Sequence, residues 1–187
     1  MSDEWEIIKK VQAGDSQAFS VLVDRYKNMV YSLIYRMLNL PEDAEDVGQE
    51  TFLTAFKSIN QFKGESKFST WLYRIAYFTS INHLRSKKIQ FHSIDEEAFD
   101  IEDDSTINYL NDSDQKYYLD EALKYLRPIE RNLISLYYLD EFSVKEIHEI
   151  TSMSPSNIKV SLMRIRKKMY VIMKKLLNNE LQTIKIN

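Results

Sequence analysis

Apolar side chains recur at helical spacing along most of the chain. Glu4 to Gln12 predicts a first helix, with Ala13-Gly14-Asp15 as a break. Asp15 to about Leu38 predicts a longer helix or a pair, with Phe19, Leu22, Val23, Tyr26, Val30, Leu33, Ile34 and Met37 on its apolar side. Pro41 opens a third helix that ends near Asn60, with Ala44, Val47, Gly48, Thr51, Phe52, Ala55 and Ile59 as its buried stripe. Phe62 to Lys67 reads as a loop and Phe68 to Lys88 as a fourth helix. Periodicity then fades from Phe91 to Gln115, where Asp, Ser and Asn are frequent, and a solvated linker is expected. Helices resume around Lys116 to Leu126 and again at Pro128.

The stretch from Phe142 to Lys168 predicts a helix, a tight turn and a second, basic helix. Ser143 followed by Glu146 forms a capping box that satisfies two orphan amides. Thr151 to Ser154 supplies the turn; Ser154 can then cap, and Pro155 can take the first helical position. Three glycines and three prolines leave little room for β-turns. The expected fold is all-α: two small helical domains, residues 1–90 and 116–187, joined by an acidic linker over 91–115.

Composition narrows the function. Hydrophobic residues make up 44% of the 187 and aromatic ones 12%, ample for packed cores. The absence of cysteine removes disulfides and thiolate metal sites and fits a cytoplasmic protein. No apolar run approaches the ~20 residues of a membrane span, so no membrane insertion is expected. The net charge of −3 conceals an uneven distribution. Residues 1–90 carry 12 basic and 11 acidic side chains, and residues 91–115 carry nine acidic and no basic ones. Residues 116–187 carry 13 basic and eight acidic ones, a basic C-terminal block.

On a helical wheel, the helix from Pro155 places Ile158, Leu162, Ile165, Met169, Ile172 and Leu176 on the core side. Ser156, Asn157, Val160, Met163, Arg164 and Lys167 lie opposite, with Lys159 at the edge. A basic outer face is often merely solvated, but the capped helix and turn before it favour duplex DNA. The cations suit phosphates or guanine edges, and Val160 and Met163 suit thymine methyls. Lys167, Lys168, Lys174 and Lys175 are expected to add salt-sensitive affinity.

Two other faces stay open on residues alone. In the third helix Asp46, Gln49, Glu50 and Lys57 surround Leu53, with Phe56 nearby, which suits a protein interface unless neighbouring helices cover the apolar pair. The fourth helix carries Trp71, Arg74, Phe78, Asn82 and Arg85 along one side, after a loop with Phe62, Lys63 and Lys67. Cations interleaved with aromatics suit single-stranded nucleic acid, although aromatic stripes at this spacing also build cores. His83, His92 and His148 show no metal spacing with one another, and there is no glycine-rich phosphate loop; neither enzymatic chemistry nor a cofactor or metal is expected.

Pro41-Glu-Asp-Ala-Glu-Asp-Val-Gly-Gln-Glu-Thr-Phe-Leu-Thr-Ala-Phe56 resembles region 2.2 of the extracytoplasmic-function (ECF) sigma factors, and Phe68-Ser-Thr-Trp-Leu-Tyr-Arg-Ile-Ala76 resembles region 2.3. The stretch from Leu126-Arg-Pro-Ile-Glu-Arg131 to Lys168 resembles region 4. The resemblance implies a promoter-specificity subunit of bacterial RNA polymerase with no catalysis of its own. Asp46, Gln49, Glu50, Leu53 and Phe56 are then implied to dock on core polymerase. The loop Gln61 to Lys67 is implied to pocket a flipped base, and Arg74, Phe78, Asn82 and Arg85 to hold the minus-ten strand. The helix from Pro155 is implied to read the minus-thirty-five element through Lys159, Val160 and Met163. An anti-sigma partner is implied as well.

The sequence departs from the family's usual pattern at Phe78 (commonly Asn), Asn82 (commonly Asp), Ser152 (a turn Gly), Ser156-Asn157 (Gly-Thr) and Ser161 (a basic residue). Two rival readings remain at this point: a stand-alone helix-turn-helix regulator that binds duplex DNA as a homodimer, and a polymerase-binding sigma-like regulator.

Overall fold

The computed structural model describes residues 3–87 and 112–186, with the side chains of the second stretch described from Lys116 to Asn178. Every regular element among the described residues is helical: α1 Asp3–Gln12, α2 Ala18–Leu38, α3 Pro41–Ser58, α4 Phe68–Ser86, α5 Asp112–Lys124, α6 Pro128–Tyr138, α7 Val144–Thr151 and α8 Pro155–Ile186. A 3-10 turn over Ile59–Gln61 extends α3. The stretch Asp15 to Leu38 resolves into one helix that starts at Ala18, because the Asp15 carboxylate accepts from the amides of Gln17 and Ala18 at 3.0 and 3.2 Å and holds the entry turn. Asn39, left-handed at φ 57°, stops α2 and donates its N–H to the Tyr35 carbonyl.

The helices form two compact units. The first comprises α1 to α4 together with Phe142–Met153, hence α7. Its core is the apolar stripe of α2 (Leu22, Val30, Leu33, Ile34, Met37) with Val47 and Ala44 of α3 and Leu72 and Ala76 of α4. Burying such side chains is the main driving force, at about 1.5–3 kcal/mol for each large one. The second unit holds α5, α6 and α8, with Ala122, Leu136, Ile158 and Ile165 among its buried residues. A division at residue 116, as the sequence suggested, groups α7 with the second block; in the structure α7 packs with α4 instead.

Most of the expected acidic linker lies outside the described residues. Its last positions do not behave as linker: Asp112 to Gln115 form the first turn of α5. In α8 the core stripe is as expected through Ile172, but Leu177 rather than Leu176 is the buried leucine of the last turns described.

Candidate nucleic-acid interfaces

The loop between the 3-10 turn and α4 is built by side chains from α1. Gln12 donates its amide to the carbonyls of Ile59 and Phe62, both at 2.9 Å. Trp5 lies edge-on to Phe62, with ring centroids 6.1 Å apart, and packs over Gly64. Gly64 has φ +76°, and a Cβ there would sit 3.0 Å from the Trp5 ring, so no other residue fits easily. Phe62 is 5% exposed and packs against Phe68 and Trp71 as well. That corrects its expected place among the DNA-contacting residues: its ring belongs to the core that holds the loop. Trp5, Gln12 and Gly64 were not singled out from the sequence, where a tryptophan in a helical stripe carries no sign of a distant loop.

Lys63 and Lys67 are exposed on this loop. Trp71 is half-buried at the start of α4, and Arg74, Phe78, Asn82 and Arg85 are exposed along one side of it. The Arg74 guanidinium lies 5.2 Å from the Phe78 ring centre, a cation–π contact. A groove of about 360 Å³ runs between α3 and α4, lined by Glu50, Thr54, Ser58 and Gln61 on one wall and by Trp71, Arg74, Phe78 and Asn82 on the other. It offers amide, hydroxyl and guanidinium hydrogen-bonding groups beside two aromatic rings. Such a set can hydrogen-bond the edge of an unstacked base and stack its face. Below the groove, Asp43 joins α3 to α4 by accepting from Lys87 and facing His83 at 3.3 Å. The hydrogen bond from Lys87 holds the Asp43 carboxyl below its ordinary range.

On the outer side of α3, Leu53 is 59% exposed and Phe56 39%. The alternative in which neighbouring helices cover this pair is therefore not realised, although Phe56 keeps one ring contact with Phe19 at 5.1 Å. Asp46, Gln49 and Glu50 are exposed around them. An apolar pair inside a polar rim has the anatomy of a protein-docking patch.

The capping box of α7 forms as expected: Glu146 N–H donates to Ser143 Oγ at 3.3 Å, and Ser143 N–H donates to the Glu146 carboxylate at 2.9 Å. Ser152 ends α7 with φ 61°, the left-handed conformation that favours glycine. Ser154 caps α8 by accepting from the Asn157 amide at 3.2 Å. On α8, Ser156, Asn157, Lys159, Val160, Met163, Arg164 and Lys167 are all exposed. Lys168 is not: it is 5% exposed and its ammonium meets Glu130 of α6 at 2.9 Å. Burial pushes the Glu130 carboxyl up, but hydrogen bonds from Arg127 and Lys168 outweigh it, and the net value is lowered. Lys168 is thus a structural ion-pair partner rather than a phosphate contact. One position, about 100° of the wheel, separates it from Lys167, and the acidic partner on α6 distinguishes the two.

A groove walled by aromatic and hydrogen-bonding groups and a helix with an exposed basic face are features that suit a nucleic-acid-binding protein. Comparison with known proteins is specific. Residues 22–89 match Sigma-70 region 2, and residues 116–169 match Sigma-70, region 4. The chain is 36% identical over 175 residues to the ECF RNA polymerase sigma factor SigW of Bacillus subtilis, covering 85% of this chain and 90% of that protein. It is 34% identical over 170 residues to the ECF RNA polymerase sigma-E factor of Escherichia coli K12, covering 86% and 88%. A co-crystal structure of the sigma factor RpoE with the anti-sigma factor NepR from Bartonella quintana aligns with TM-score 0.61 at 18% identity, over 83% of this chain and 96% of that one, a likeness of fold. The chain belongs to the ECF group of the sigma-70 family and is an RNA polymerase sigma factor. The homodimeric regulator is thereby set aside. Among the described residues no helix is long and apolar enough to cross a membrane, and no group of three or more metal-binding side chains comes together.

Proposed function

We propose that the chain directs core RNA polymerase to specific promoters by dividing the work among three faces. The exposed pair Leu53 and Phe56, rimmed by Asp46, Gln49 and Glu50, docks on core polymerase. The loop cations Lys63 and Lys67, with Trp71, Arg74, Phe78, Asn82 and Arg85, capture the opened minus-ten strand; Phe62 serves this face by supporting the loop. Ser156, Asn157, Lys159, Val160, Met163, Arg164 and Lys167 read the minus-thirty-five duplex. Functionally, residues 1–90 and 116–187 act as the two promoter-binding blocks, and 91–115 as their acidic tether. The chain carries out no bond chemistry itself; polymerase does. It works in the cytoplasm and is held in check by an anti-sigma protein, as the family likeness supports.

The observation that carries this reading is the α3–α4 groove, because it supplies base-stacking and base-edge groups in one concavity beside an exposed apolar patch. Run-off transcription with core polymerase tests it. Promoter-dependent transcripts are expected with the intact chain and absent with the Leu53→Ala, Phe56→Ala pair. Promoter-dependent product from the core enzyme with that pair, equal to the intact chain's, would overturn the docking assignment.

A further inference from the structure

Helix α1 lies ahead of the segment that matches region 2, which begins at residue 22, yet it sets the loop that follows the 3-10 turn. Gln12 Nε2 donates to two loop carbonyls at once, those of Ile59 and Phe62, each at 2.9 Å. The Ile59 carbonyl also accepts the Phe62 amide at 3.1 Å, so this one side chain braces both ends of the 3-10 turn. Two positions on, Gly64 takes φ +76°, and a Cβ there would lie 3.0 and 3.1 Å from two carbons of the Trp5 indole. The loop backbone therefore rests directly on that ring. Phe62 meets the same ring edge to face at 6.1 Å, and the Lys9 ammonium lies 5.6 Å from its centre.

Two kinds of strand contact depend on loop geometry to different degrees. Lys63 and Lys67 are exposed, and their long, rotatable side chains pair with phosphates mainly through charge, so a small shift of the loop costs them little. Hydrogen bonds to a base edge are short and directional, and the same shift breaks them. A loop already held in its binding shape also spares the complex the entropy of ordering it.

We infer that Trp5 and Gln12 are positioning residues for base selection. They fix the shape of the loop from Phe62 to Lys67, and with it which base the minus-ten site accepts, while adding little to its hold on the strand's phosphates. The inference rests on the strand-binding reading of this loop and α4. Gly64 is the residue that admits the contact, since a side chain there would press the loop off the indole.

Holoenzyme assembled from core polymerase and this chain, mixed with a single-stranded DNA pool randomised over the minus-ten length, tests this. Bound and unbound fractions are sequenced, the pool's affinity is measured over a salt series, and core polymerase alone sets the background. The unaltered chain should enrich one base at one position by at least about fivefold. Gln12→Leu nearly keeps the side chain's size and removes both donated bonds; Trp5→Leu removes the surface under Gly64. Each should bring that enrichment below about twofold, with the pool's affinity within about twofold of the unaltered value and its salt slope unchanged. Trp5→Phe, which keeps an aromatic edge against Phe62, should restore part of the enrichment that Trp5→Leu loses; no restoration overturns the role given to Trp5. Enrichment as strong in the Leu variants as in the unaltered chain overturns the inference, and so does a parallel loss of enrichment and pool affinity. An unaltered chain that enriches no base at any position removes the strand-binding reading of the loop, and the inference with it.

Discussion

Helices α4 and α8 both present cations to solvent, but they present them differently. On α8, Lys159, Arg164 and Lys167 make no hydrogen bond or ion pair among the described residues, and Val160 and Met163 stand 43% and 44% exposed between them. On α4, Arg74 is held by two hydrogen bonds and an aromatic face, beside a groove walled by α3. On the assignment proposed above, the difference follows from the target. Duplex DNA supplies its own concavity, the major groove, so a reader of duplex need only project side chains from a firmly packed helix. An opened strand has no such shape, and the protein must supply the concavity and the stacking surfaces itself. That requirement explains why the α4 side recruits α1, through Trp5 and Gln12, to set a loop of a few residues.

The contrast can be broken at several points. The largest effect is expected at Lys168, which is buried while Lys167 beside it is exposed. Lys168→Ala leaves the Glu130 carboxylate with Arg127 as its remaining partner and should cost about 2–3 kcal/mol of stability, read by denaturant unfolding. Lys167→Ala, one position away, should change stability by less than about 0.5 kcal/mol. Next comes Arg74→Ala, which removes a charged donor aimed at the strand. Binding of holoenzyme to a single-stranded minus-ten probe should weaken by roughly tenfold to a hundredfold, with duplex binding unaltered. Smaller again are Arg164→Ala and Lys167→Ala. Each should lower the slope of log affinity against log salt for duplex promoter by about one, since each removes one phosphate-neutralising charge.

The smallest effect is a pH dependence confined to α7. Hydrogen bonds from Lys67, then from Ser143, hold the Glu146 carboxyl down at about 2, against an ordinary value of 4.5. A depressed carboxylate stabilises the fold fully above its unfolded value and loses that contribution as pH falls through the folded one. Protection of the 142–153 amides should therefore be flat from neutral pH down to about 4.5 and decline from there toward pH 2. Glu146→Gln should remove the decline. A decline that survives the substitution assigns it to another carboxylate.

Helical periodicity made the elements legible, because the apolar stripes of α2, α3 and α8 each repeat every three to four residues and only one face can be buried. Local signals placed the ends well: Pro41, Pro128 and Pro155 open helices, and Ser143 with Glu146 closes the capping box as read. What stayed illegible depends on partners distant in sequence. Phe62 looked like a loop aromatic free to meet DNA, yet Trp5, Phe68 and Trp71 enclose it. Lys168 looked like its neighbour Lys167 until α6 brought Glu130 beneath it. Leu53 and Phe56 posed the opposite question, and only the packing of α2 and α4 on the other face of α3 left them outside. The placement of α7 on α4 has no sequence signal at all, since its cap and turn read the same wherever the helix docks.

The division of labour between α4 and α8 is tested most directly by a paired binding measurement on holoenzyme assembled from core polymerase and this chain. One probe is single-stranded minus-ten DNA and the other is minus-thirty-five duplex; the variants are Arg74→Ala and the Arg164→Ala, Lys167→Ala pair. The predicted result is a crossed loss, with Arg74→Ala weakening only the single-stranded probe and the α8 pair weakening only the duplex. Equal losses on both probes from either variant would contradict the assignment of separate targets to the two helices.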